Sequence, residues 1–148
     1  MMSGYLASTP SLCEAKAKII VSEEKGMKHT ANNTRLCNVR QFQIDGGIIP
    51  VTDTTTIRCD YLVLNDNNCN AYFIELKRSG SISEAIAQIQ TSIEMLKNEL
   101  PNYIYHGRII GNSIHGIQDS KTIDKKRAHI KKYKGNIQHK TRNLTENI

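Results

Sequence analysis

Two runs rich in Val, Ile, Leu, Tyr and Phe, Ile57–Leu64 and Ala71–Lys77, flank a polar cluster of Asn and Asp. This pattern predicts a β-hairpin. With the turn centred on Asn67–Asn68, Asp60 stands opposite Glu75, and such partners have Cβ atoms about 4.5–5.5 Å apart. Side chains alternate along a strand, so Lys77 shares the face of Glu75, together with Leu62, Leu64 and Phe73. Tyr61, Val63, Tyr72, Ile74 and Leu76 take the other face. Both faces are apolar, which predicts a central hairpin covered by helices on both sides. A slip of one residue would send Asp60 to the wrong face.

The remaining periodicity supplies the other elements. Ser11 to Lys25 reads as a helix ended by Gly26, with a capping box at Ser11 and Glu14 and a stripe of Leu12, Ala15 and Ile19. Val39–Ile44 reads as a strand, Gly46–Gly47 as a turn or bulge, and Ile48–Val51 as a continuation of the sheet. Ser81 and Glu84 form a second capping box. The helix they open carries Ile82, Ile86, Ile89, Ile93, Leu96 and Leu100 on one stripe and stops at Pro101. Tyr103–Ile110 is a further strand, followed by a glycine-punctuated loop to Gly116. Thr122–Tyr133 reads as a helix and Ile137–Arg142 as a late edge strand. The expected fold is α/β (α+β): a mixed central sheet flanked by helices, in the order αβββαβ, with a basic C-terminal helix and strand.

The length of 148 residues suits one domain, with a core at about 11–110 and a basic appendage at about 120–148. No apolar run approaches the roughly 18 residues a membrane span needs. Met1 to Pro10 lacks the basic start and apolar stretch of a leader and reads as an uncleaved arm. The four cysteines form no CxxC pair, so reduced thiols and a cytoplasmic location are expected. The net charge of +6 is unevenly placed. From Lys121 onward nine Lys and Arg face only Asp124 and Glu146, a surplus of seven that leaves the rest of the chain at −1. A basic block on a neutral body is the footprint of a polyanion partner, with Lys125, Lys126, Arg127, Lys131, Lys132 and Lys134 as the candidate contacts. A solvated surface helix is the plain alternative.

Two carboxylates across a hairpin offer hard oxygen ligands suited to Mg²⁺ or Mn²⁺. A lysine beside them can orient a water or offset charge on a phosphate. The spacing of Asp60, Glu75 and Lys77, an Asp followed by Glu-x-Lys on the next strand, resembles the PD-(D/E)xK nuclease superfamily, the restriction-endonuclease-like fold. The resemblance spans roughly residues 11–110. It implies that Asp60, Glu75 and the backbone carbonyl of Leu76 bind the metal and that Lys77 positions the attacking water. Gln88, on the following helix, and Glu14, on the first helix, are the further candidates it implies. Cys59 stands where the family often has proline. The glutamine-x-x-x-tyrosine signature of the RecB-like branch is not met, because Ser92 follows Gln88 at that spacing.

Plainer readings stand beside these. The acids and lysine could form a cross-strand salt bridge, Glu14 could serve its capping box and Lys18, and Gln88 could be a solvated helix residue. Asp66, Asn68 and Asn70 do not make a calcium loop, because Ala71 and Lys77 fill the positions that need Gly and Glu. The five histidines show no ligand spacing, and the Gly111–Gly116 loop lacks the Lys-Ser/Thr of a P-loop. The expectation is a Mg²⁺- or Mn²⁺-dependent nuclease hydrolysing phosphodiester bonds, DNA ahead of RNA. At this size it cannot easily wrap a duplex, which points to a homodimer or a larger complex. The rival is a non-catalytic nucleic-acid- or protein-binding subunit on the same fold.

Overall fold

A computed structural model describes residues 4–115 and 120–148. The described residues form a mixed α/β fold built from two sheets and two helices, and no helix among them is long and apolar enough to cross a membrane. The larger sheet has the order β3-β4-β5-β6-β7, with β3 at Val39–Gln43, β4 at Tyr61–Asn65, β5 at Asn70–Ser81, β6 at Ile104–His115 and β7 at Lys134–Thr141. The smaller sheet has the order β1-β2-β8, with β1 at Ile19–Glu24, β2 at Met27–Asn32 and β8 at Asn143–Asn147. Helix α1, Ile82–Leu96, joins β5 to the parallel β6, and α2, Ser120–Tyr133, precedes the parallel β7.

The central hairpin forms in the expected register, with Tyr61 opposite Ile74 and Leu62 opposite Phe73. Its two faces feed two separate cores. Leu62, Leu64 and Phe73 pack with Ile82, Ile86, Ile89 and Ile93 of α1. Val63, Tyr72, Ile74 and Leu76 pack instead with Ile20, Met27, Ala31 and Leu144 of the smaller sheet. The expectation of helices on both faces is therefore corrected: helices cover one face and a second sheet the other.

That second sheet exists because Ser11–Lys25 is not a helix. Residues 11–18 are irregular and Ile19–Glu24 is a strand, so Leu12 and Ile19 of the supposed stripe are each 60% exposed. The β-branched run Ile19-Ile20-Val21 favours strand. Lys25 and Gly26 both have positive φ (52° and 82°) between the paired Glu24 and Met27. This is the two-residue hairpin turn whose twist matches the flanking strands. Ser11 caps no helix: its hydroxyl accepts the Gln41 N–H at 3.0 Å and pins the segment along the edge of β3. Ile48–Val51 does not extend the sheet, and only an isolated bridge joins Asp45 and Ile49.

Half of the second capping box forms: Ser81 caps the helix, while the Glu84 carboxylate lies by Lys77 instead. Ser81 Oγ accepts the Glu84 N–H at 3.1 Å, and the helix ends four residues earlier than expected, at Leu96, before a 3₁₀ turn at Lys97–Glu99. The carboxylate of Glu99 accepts the N–H groups of Tyr5 and Leu6, which docks the N-terminal arm from residue 4 onward; residues 1–3 lie outside the described residues. β6 runs on to His115 where a loop was expected, and Gly116 lies outside the described residues. The four cysteines carry free thiols.

The basic C-terminal segment is woven into both sheets. β7 is the expected edge strand of the larger sheet, and β8 pairs in parallel with β2. An ionic clamp locks this closure between the layers. Arg108, 3% exposed, donates from Nε and Nη2 to Glu146 at 2.8 and 3.1 Å, and His29 Nε2 meets the same carboxylate at 2.7 Å. Burial opposes ionisation of Glu146, but the bonds from His29 and Arg108 and the charge of Arg108 outweigh it and hold the carboxyl down at about 2.

A carboxyl held below its unfolded value stabilises the fold above the unfolded pKa and loses that contribution as pH falls towards the folded one. Glu146→Gln should cost about 3–5 kcal/mol at pH 7, because it leaves Arg108 buried without its counter-charge. In urea unfolding, the gap between wild type and variant should narrow between about pH 4.5 and pH 2.

Candidate metal and phosphate site

The site is assembled where β5 outruns β4. Asp60, just before β4, is already paired with β5: its N–H donates to Ile74 O at 3.0 Å and its C=O accepts from Ile44 N at 2.8 Å. Its side chain turns back over the strand end, where Oδ2 accepts the Leu76 N–H at 2.8 Å. Glu75 follows Ile74 in register, so the two carboxyls face each other as the pattern requires. Ile74 O and Leu76 N both point towards β4, and strand alternation sends the Leu76 carbonyl out on that same edge.

The electrostatics here are unfavourable for an unliganded pair. Glu75 is 5% exposed, and its Oε1 has no hydrogen-bond partner. Burial, then the charge of Asp60, pushes the Glu75 carboxyl far above the ordinary range, with Lys77 opposing. Burial raises Asp60 as well; the Leu76 N–H bond opposes the shift and the charge of Glu24 adds to it. Lys77 does not form the plain cross-strand salt bridge. Its Nζ donates to Gln88 Oε1 at 3.3 Å and lies 3.5 Å from Glu84 Oε2. Gly80 makes room for this lysine, since a Cβ there would come within 2.6 Å of Lys77 Cε and the backbone sits at φ 122°. Only glycine adopts that turn comfortably.

Asp60, Glu75, Leu76, Lys77 and Gln88 therefore come together in one cleft of about 320 Å³. Glu14 does not join them. It is exposed on the irregular segment before β1, because the helix that was to carry it does not form. Two acids that sequence reasoning missed line the cleft instead: Glu24, at the end of β1, and Asp45, which is paired with Arg58 at 2.9 Å. The Lys25-Gly26 turn beside the Ile-Ile-Val run was the available signal for Glu24. Among the described residues, no three His, Cys, Asp or Glu side chains form a metal-binding group, and neither His29 nor His129, both fully buried, lines the cleft. The groups that could hold a metal here are two carboxylates and a backbone carbonyl, those of Asp60, Glu75 and Leu76. The partnerless Glu75 oxygen supports this set: a buried carboxyl oxygen without a donor is the place a cation would satisfy.

Ser92 is a further unforeseen part. Fully buried, it accepts the Cys59 N–H at 2.9 Å and donates to Gln88 O at 3.1 Å. It ties the residue before Asp60 to the helix turn that carries Gln88.

The candidate nucleic-acid contacts separate along α2. Lys125 donates to Ser83 Oγ beside the start of α1, and Lys126 is partly buried. Arg127 and Lys131 are exposed. Lys132 lies 3.8 Å from Glu94 and over the Tyr133 ring, and Lys134 opens β7 opposite Tyr105. None of the six lines the cleft.

Because the Glu75 carboxyl is held above its unfolded value, its contribution to folding is intact below the unfolded pKa of about 4.3 and is lost as pH rises through the folded one. Glu75→Gln should therefore stabilise the metal-free protein, with a thermal-unfolding advantage that grows from about pH 4.5 upward. Ser92→Ala should cost about 1–3 kcal/mol by orphaning the Cys59 N–H, and an unchanged urea midpoint would refute the tie. No protein-family model, curated protein or solved structure matches the chain.

Proposed function

We propose that this protein is a metal-dependent phosphodiesterase acting on nucleic acid, with a site of the restriction-endonuclease-like kind. One observation carries the reading: a nearly buried glutamate with a partnerless oxygen faces a second carboxyl in an open cleft, beside a lysine that pairs with neither. A structural ion pair would have closed Lys77 onto Glu75. A misplaced buried acid would be costly to keep. The net charge of +6 supports a polyanionic substrate.

Asp60, Glu75 and the Leu76 carbonyl would hold a Mg²⁺ or Mn²⁺ ion. When bound, such an ion polarises a phosphoryl oxygen and acidifies a bound water. The chain's own groups do the rest. Asp60, fixed by the Leu76 N–H, keeps its ligand oxygen in place. Gln88 and Glu84 steady Lys77, whose ammonium donates towards the attacking water or the charge growing on the phosphate. The rival, a non-catalytic binding subunit, draws support from that same engagement of Lys77 by Glu84.

Labelled single- and double-stranded DNA and RNA incubated with Mg²⁺, Mn²⁺ or EDTA separate the two. Cleavage should need metal and fall about 10²–10³-fold in Lys77→Ala. Independently of activity, Mn²⁺ should raise the melting temperature of wild type at pH 8 and leave Glu75→Gln unmoved. Binding without cleavage in every metal would favour the rival.

A further inference from the structure

The geometry points to a phosphate track on the smaller-sheet side of the cleft, formed by Lys25, Arg78, Lys140 and Arg142, rather than along α2. The inference rests on the nucleic-acid reading above and names the surface that takes the substrate backbone. Lys25 and Arg78 line the cleft itself, next to Glu75 and Lys77. Arg78 follows Lys77 on β5 and takes the opposite face by strand alternation, the side covered by the smaller sheet. On that side Lys140 is in register with Ile110, and Ile110 with Leu76.

Arg142 continues the line. Its N–H donates to Gly111 O, and Gly111 is the register partner of Lys77. Its own carbonyl accepts the Lys28 N–H, which fixes the β7–β8 junction against the β1–β2 hairpin. Adjacent strands lie about 4.8 Å apart, so β5 and β7, on either side of β6, run about 10 Å from each other, with Arg78 on β5 and Arg142 just past the end of β7. All four side chains are exposed, and none forms an ion pair among the described residues. The acids on this side are Glu24, which lines the cleft, Glu23, which stands opposite Lys28, and Glu146, whose carboxylate is held by Arg108 and His29.

The α2 cations are placed differently. The helix begins after the C-terminal end of β6 and runs back to the start of β7, so it leads away from the cleft. At about 1.5 Å per residue, Lys131 and Lys132 lie about 16 Å or more beyond its start. Lys125 and Lys132 are engaged by Ser83 and Glu94. A backbone approaching the carboxylates meets the Lys25–Arg78 rim first.

The test measures affinity for a labelled DNA duplex and single strand across a salt series, with Ca²⁺ replacing Mg²⁺ so that binding is read apart from cleavage. The rim variant combines Lys25→Asn, Arg78→Gln, Lys140→Gln and Arg142→Asn; the asparagines suit the positive φ of Lys25 (52°) and Arg142 (63°). The comparison variant combines Arg127→Gln and Lys131→Gln, and thermal unfolding verifies that both fold. The rim variant should lose affinity and flatten the log K against log salt slope by about three to four, nearly one per phosphate contact, while the comparison variant keeps the wild-type slope. Equal or greater loss in the comparison variant overturns the track and leaves the hydrolase reading standing if Mg²⁺-dependent cleavage persists. Rim-dependent binding with no cleavage in Mg²⁺ or Mn²⁺ supports the track and overturns the hydrolase. Wild type that binds no nucleic acid overturns both.

Discussion

The structure depends on the register of one hairpin, because that register puts a glutamate where the sheet gives it no partner. At the other end of the hairpin, Asn65 Oδ1 accepts the N–H groups of Asn67 and Asn68, and Cys69 takes the left-handed conformation at φ 57°. Arg40 and the Tyr103 hydroxyl hold Asp66 beside this turn. These contacts fix which residue of β4 meets which residue of β5. The alternating faces do the same work along the strands, since two different cores claim the odd and even positions. A one-residue slip would empty both cores at once, and it would also part Asp60 from Glu75.

The layers explain where the site lies. β5, β6 and β7 run parallel, and crevices beyond the carboxyl ends of parallel strands are where ligands bind in sheets of this kind. Here β5 extends past the start of β4 and exposes an edge that β4 does not cover. Asp60 turns its side chain into that edge and takes the Leu76 N–H, a bond that the missing part of β4 would otherwise make. The larger sheet and α1 thus supply the acids, the lysine and Gln88. The smaller sheet supplies Glu24 and, in the turn between β1 and β2, Lys25, so both layers meet at the cleft.

What the sequence made legible follows from how local each signal is. The hairpin, the Ile stripe of α1 and the trio Asp60, Glu75 and Lys77 are written in short-range alternation or spacing, and the structure brings them together. The segment before Gly26 was misread because Ser11 and Glu14 mimic a capping box while Leu12 and Ile19 mimic a stripe. Tertiary context decided otherwise: Ile20, Met27 and Ala31 bury against the far face of the hairpin, and a helix there could not present them at a strand's alternation. The loss of that helix also removes Glu14 from the site. The Lys25-Gly26 turn was a signal that Glu24 ends a strand, but that Glu24 and Asp45 reach the cleft depends on how one sheet stacks on the other. The basic tail was visible as charge, but its division between α2 and the strands β7 and β8 is set by the parallel crossover.

The same layering bears on why the chain tolerates the Glu75 carboxyl. An unsatisfied buried polar group costs about 1–3 kcal/mol, and an ionised one more. Against a net stability of about 5–15 kcal/mol, that is a burden the rest of the fold must offset. The offsetting contacts flank the site without saturating it. Ser92 satisfies the backbone just before Asp60, and Arg108 with Glu146 and His29 clamps the second sheet under β6. Ser92 and the Arg108–Glu146 pair are hydrogen-bonded, whereas Glu75 Oε1 and His29 Nδ1 are not. Of the buried polar atoms without a partner among the described residues, His29 Nδ1, Asn65 Nδ2, Thr122 Oγ1 and Glu75 Oε1, the Glu75 oxygen is the one whose residue lines the cleft. The nearby lysine does not partner that oxygen, because Glu84 and Gln88 hold the lysine aside. A cation from solution fits what remains: it would offset the repulsion between the two acids and let both ionise. If the proposed cation binds here, the cost of keeping the two acids together without it and the affinity for it have the same source.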